Sequence, residues 1–163
     1  MRKLIVLTMF FLFIIVAAHG EIIEEYDRFT KKTTVSTKPE ASYFFKDRPF
    51  LVLNAEFKDK PTYFQMMLVT REDGWEYLNC HMTHILADDE PVKIPDATHT
   101  GDVQSGAVLE FIVLNVISLK SLDQLCNAKK IEVKICNEIF EFDDEEKKDL
   151  KDFREILNKK LAK

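Results

Sequence analysis

The chain has 163 residues, 28 of them Asp or Glu and 23 Lys or Arg, for a formal net charge of −5 at pH 7. An acidic balance argues against nucleic-acid binding, which needs a basic face to neutralise phosphates, and four scattered glycines exclude a phosphate-cradling loop or a dinucleotide fingerprint. Three cysteines are too few for a disulfide-stapled miniature scaffold.

In chain order, the first feature is an export signal over residues 1–20. Arg2 and Lys3 make a positive start, residues 4–16 are apolar apart from Thr8, and Ala18-His19-Gly20 sets small residues around a cut before Glu21. The apolar stretch, about 15 residues, is shorter than the roughly 20 that cross a bilayer as a helix, so cleavage is expected rather than retention. No cysteine stands at the cut to carry a lipid anchor, the first being Cys80. The expected product is a single domain over residues 21–163, periplasmic or extracellular, with no integral membrane segment. Without Arg2 and Lys3 it holds 21 basic and 28 acidic residues, a net −7.

Residues 21–29 form a polar lead-in with Tyr26 and Phe29 as anchors, and the β-branched run at 31–38 predicts a first strand ended by Pro39. Residues 50–57 alternate so that Leu51, Leu53, Ala55 and Phe57 share a buried face. A turn at 58–61 then leads to a largely apolar strand over 62–70, its hairpin partner. Asp73-Gly74 supplies the chemistry of a tight turn, so a third strand is expected over 75–82, both of its faces mixed in polarity. Residues 87–90 read as a turn, 91–95 as a short edge segment, and 96–106 as a loop or bent edge strand. Residues 107–117 are apolar except Glu110 and Asn115, which suits a central strand covered on both sides.

Ser118 is placed to cap a short helix with Leu119, Leu122 and Leu125 at helical spacing. Ile131, Val133 and Ile135 alternate with polar residues as a half-buried strand, and residues 139–142 return as its partner. Asp143 with Glu146 three positions on predicts a capping box, followed by a helix with Leu150, Phe153, Leu157 and Leu161 as its apolar stripe. The predicted fold is α+β: a mainly antiparallel sheet of six or seven strands, with a short helix, a hairpin and a C-terminal helix packed on it.

Chemistry-bearing residues gather at Cys80-His81-Met82-Thr83-His84. Thiolate and imidazole bind zinc and copper, and Met82 adds a soft sulfur suited to cuprous copper. In a strand Cys80 and His84 share one face while His81 points to the other, so Cys80 and His84 are the candidate metal ligands, needing further donors such as His99 or Cys136. Thiol chemistry has its one local setting here too, a Cys80 thiolate beside an imidazolium. Export permits one disulfide among Cys80, Cys126 and Cys136, the pairing left open, and the alternative is that all three are buried or half-buried free thiols. The acidic run at 143–146 lacks the EF-hand spacing and reads as a helix cap instead of a calcium site. Aromatics such as Tyr43, Phe44, Phe45, Phe50, Trp75 and Tyr77 crowd the first half of the domain, where they fill a core or line an apolar cleft.

The segments YDRFTKKTTVST, GWEYLN and LDQLCNAKKIEVKICNEIFEFDDEEKKDLKDF resemble small exported bacterial proteins of unassigned function. The resemblance implies a place in a bacterial cell envelope and brings no catalytic residue. Composition and motifs together predict an exported, non-enzymatic binding domain without a cofactor, its partner a protein or a small apolar ligand. The rival readings are a metal- or thiol-dependent activity centred on Cys80, His81 and His84, and a secreted effector or inhibitor.

Overall fold

The computed structural model describes residues 21–39, 47–58, 61–115 and 117–162. The expected export signal and the aromatic run Tyr43, Phe44 and Phe45 lie outside the described residues. The elements run β1 (Glu21–Asp27), β2 (Lys32–Lys38), β3 (Phe50–Phe57), β4 (Pro61–Glu72), β5 (Thr83–Ala87), β6 (Glu90–Pro91), β7 (Ala97–Gln104), β8 (Ala107–Asn115), α1 (Leu119–Asn127), β9 (Ile131–Ile135), β10 (Glu138–Glu141) and α2 (Asp144–Leu161). The fold is α+β, with the strands divided between two antiparallel sheets. Six form one sheet in the order β1-β2-β3-β4-β8-β7, and four form a second in the order β10-β9-β5-β6.

Alternation along each strand decides what meets in the centre. Val35, Leu51, Leu53, Ala55, Met66, Leu68, Ile112 and Leu114 line the inner face of the large sheet. Ile85, Val133 and Ile135 from the small sheet join the same core, as do Leu122, Leu125, Leu150, Phe153 and Leu157 from the helices. Burying each of these side chains other than Ala55 removes apolar surface worth roughly 1.5–3 kcal/mol from water. Phe50 and Val69, neighbours across β3 and β4, form a smaller cluster on the opposite face, with Val52, Met67 and Phe111 packed against it.

Both helices begin as the sequence predicts. Ser118 accepts a hydrogen bond from the Ser121 backbone N–H, and Asp143 with Glu146 completes a capping box. The Glu146 carboxylate, wholly buried, also accepts from the Arg48 guanidinium and the Leu51 backbone N–H, which ties the start of α2 to the start of β3. Leu150, Phe153 and Leu157 face inward while Leu161 is exposed.

Two expectations are corrected, those for residues 21–29 and 75–82, and the alternatives left open for residues 96–106 resolve to an edge strand. The polar lead-in is strand β1, paired with β2 along its whole length. An edge strand is held by backbone hydrogen bonds from one neighbour, so it needs little apolar alternation; Tyr26 and Phe29, expected as anchors, are exposed. Residues 96–106 give a regular edge strand, β7, joined to β8 by a two-residue turn in which Ser105 and Gly106 both take positive φ, the backbone that matches strand twist in a tight hairpin. Residues 75–82 form no strand. The edge of β4 that a local hairpin would have used is paired with β8 instead, 50 residues distant at Gln65 and Asn115, and Gly74 does not take the positive φ of a tight turn. The strand comes later, as β5, in the other sheet.

Candidate functional site

Freed from both sheets, residues 73–82 cross the inner end of the large sheet as a strap, and one side chain holds them there. Glu110, the single acid of β8, is only 1% exposed. Its carboxylate accepts hydrogen bonds from the backbone N–H groups of Glu76 at 2.7 Å and Tyr77 at 2.9 Å, and lies 2.8 Å from His99 Nε2. A buried carboxylate is costly unless such partners replace its water. Trp75 lies against β7 at Gly101, where a Cβ would stand 2.5 Å from the indole, so a glycine is required at that crossing. His99 meets Trp75 edge-on and stacks on His81, ring centres 6.0 and 5.9 Å apart.

The far end of the strap is fixed to the small sheet. Tyr77, buried, donates its hydroxyl to the Glu138 carboxylate on β10. Burial and then the Glu138 contact push the phenol far above its ordinary pKa, so it serves as a donor throughout the working pH range. Cys80 is bonded to Cys136 in the β9–β10 turn, Cα atoms 6.1 Å apart.

That bridge settles the open cysteine pairing and changes the prospects of the candidate ligands. A disulfide sulfur is neither thiolate ligand nor nucleophile, so while the bridge holds, Cys80 and Cys136 supply nothing to a metal. His84 sits exposed on β5, whereas His81 is turned to His99, which is itself engaged with Glu110. Among the described residues no group of three His, Cys, Asp or Glu side chains is placed to hold a metal ion. Cys126 is the free thiol, half-buried on α1 with its Sγ donating to the Leu150 carbonyl. Burial, reinforced by Asp123, pushes its pKa up to about 11, which leaves it almost wholly un-ionised at neutral pH.

Two concavities flank the strap. The larger, about 720 Å³, runs beside β5 and is closed on its other side by residues 91–97, with His81, Met82, His84, Lys93 and Pro95 in its walls. Backbone parity fixes what β5 shows it. Met82 O and Asp88 N bond towards β9, while Ile85 O accepts from Val92 N on the opposite side; Thr83, two residues before Ile85, therefore directs its own N–H and C=O to the Val92 side. Pairing with β6 covers only Leu86 and Ala87, so the edge at Thr83 opens onto the groove.

The smaller concavity, about 290 Å³, lies between the strap, β4 and β10, with Thr70, Glu72, Glu76, Tyr77, Glu138 and Asp47 around it and Arg48 at one side. Sequence reasoning missed this cleft because its residues come from four separate stretches. Glu110 was visible as a lone acid in an apolar strand, but nothing in the sequence names its partners.

No family model, curated protein or solved structure matches the chain. The class defined here is a two-sheet α+β domain with a disulfide-anchored strap. Among its described residues no helix is long and apolar enough to cross a membrane.

Proposed function

We propose that the chain is an exported, non-enzymatic binding domain of a bacterial envelope that holds an extended segment of a protein partner in the groove beside β5. The observation that carries this reading is the backbone edge at Thr83, unpaired on the Val92 side among the described residues and facing a groove of about 720 Å³. An edge of this kind accepts an incoming strand through main-chain hydrogen bonds, while flanking side chains supply selectivity. Here those side chains mix imidazole, thioether and Lys93 with Pro91 and Pro95, a lining better suited to a peptide than to a small apolar ligand, which favours an enclosed apolar cavity. The Cys80–Cys136 bridge is compatible with export, because disulfides persist in oxidising compartments.

The test places a photoreactive phenylalanine at His84 in the native cells, with a control at Glu155 on the exposed side of α2. A protein adduct is expected from His84 alone, and Thr83→Pro, which removes the groove-facing N–H without touching the β9 ladder, should abolish it with the circular dichroism unchanged. No adduct from His84, the same adduct from both positions, or indifference to Thr83→Pro refutes the reading.

A further inference from the structure

We propose that the cleft between the strap, β4 and β10 binds an organic cation, an alkylammonium or guanidinium group, through Glu72, Glu76, Glu138 and the Thr70 hydroxyl. Four carboxylates surround the cleft, those of Asp47, Glu72, Glu76 and Glu138. Among the described residues none of the four has an ion-pair partner. The cation nearest to hand is already occupied: Arg48 spends its guanidinium on Asp143, Glu146 and the Pro49 carbonyl.

Thr70 is the independent observation. It lines the cleft, is only 3% exposed, and among the described residues its Oγ1 has no hydrogen-bond partner. A buried hydroxyl without a partner is costly to keep; an N–H donor entering the cleft would satisfy it. The neighbourhood also shows the want of positive charge, since burial and the carboxylates of Glu72, Glu138 and Glu110 raise the Glu76 pKa above its ordinary value.

The geometry favours an organic cation over a metal ion. A divalent cation needs several oxygens converging within roughly 2.0–2.6 Å, and no such group of three acids is present among the described residues. A cleft of about 290 Å³ instead accommodates the end of a side chain or a small amine, and Tyr77, held as a donor to Glu138, keeps that carboxylate oriented while leaving its second oxygen available.

The test is titration of the oxidised, full domain in 0.15 M NaCl, following the backbone amide resonances of Thr70 and Tyr77. Four probes are used: N-acetyl-lysine methylamide and N-acetyl-arginine methylamide for a partner's side chain, spermidine for a free polyamine, and calcium chloride for a metal. Saturable shifts at both amides are expected with at least one organic cation, and the tighter arm identifies the source as a protein side chain or a free amine. The pair Glu76→Gln with Glu138→Gln should weaken that binding by about tenfold or more, as loss of two charge-assisted contacts implies. Thr70→Val, which removes a buried group that has no partner, should fold at least as well and still bind several-fold more weakly. The proposal is overturned if no organic cation gives saturable shifts, if calcium binds more tightly than all three, or if the double variant binds as the native protein does.

Discussion

Removing the Glu110 carboxylate should release the strap and cost more stability than its single side chain suggests. Glu110→Ala leaves the Glu76 and Tyr77 backbone N–H groups and His99 without their shared acceptor. A hydrogen bond to a charged group contributes roughly 1.5–3 kcal/mol, and two backbone donors are involved before His99 is counted. Water reaches the strap once it lifts, which caps the loss, so we expect about 3–5 kcal/mol against a total that for domains of this kind is roughly 5–15 kcal/mol. Glu110→Gln keeps one acceptor oxygen but sets an NH₂ group against the other donors; about half that loss is expected. Urea unfolding followed by intrinsic fluorescence is the assay, because the chain's one tryptophan, Trp75, lies on the strap against Gly101. The alanine variant should show red-shifted native emission as well as a lower midpoint. A loss under about 1 kcal/mol with unchanged emission would mean that Glu110 does not hold the strap.

The Cys80–Cys136 bridge spans 56 positions, and a loop of that length restricts the unfolded chain by about 4 kcal/mol in the chain-entropy account; paired serine substitutions should lower the thermal midpoint accordingly, and an unchanged midpoint would contradict the closed loop. Cys126, with its pKa pushed up to about 11 by burial, should resist iodoacetamide at pH 7.5 in the native protein and react promptly in urea. Its native reactivity should climb as pH rises towards 11, and because the unfolded thiol ionises first, near 9, stability should fall over the same window. Intact mass after timed quenching reads the alkylation, and rapid native labelling at pH 7.5 would refute the burial argument.

Local patterning was enough wherever an element's identity depends on its own residues. The capping box of Asp143 and Glu146, the Ser118 cap, the stripe of Leu150, Phe153 and Leu157, and the alternation of Leu51, Leu53 and Ala55 all report burial or hydrogen bonding within a few positions, and the α+β class follows from their sum. Pairing depends on distant competition. Residues 75–82 carry the composition of a strand, yet β8 occupies the edge they would need and Glu110 binds their N–H groups from a point more than 30 residues later. Likewise β1 has no apolar signature because one neighbouring backbone suffices to hold it. The choice of Cys136 over Cys126 as partner of Cys80, the open edge at Thr83 and the acidic cleft around Thr70 were decided only when two sheets came together. A sequence records what each residue prefers beside its neighbours along the chain. Which carboxylates and hydroxyls meet across a cleft depends on how separate layers pack, and no short-range period encodes it.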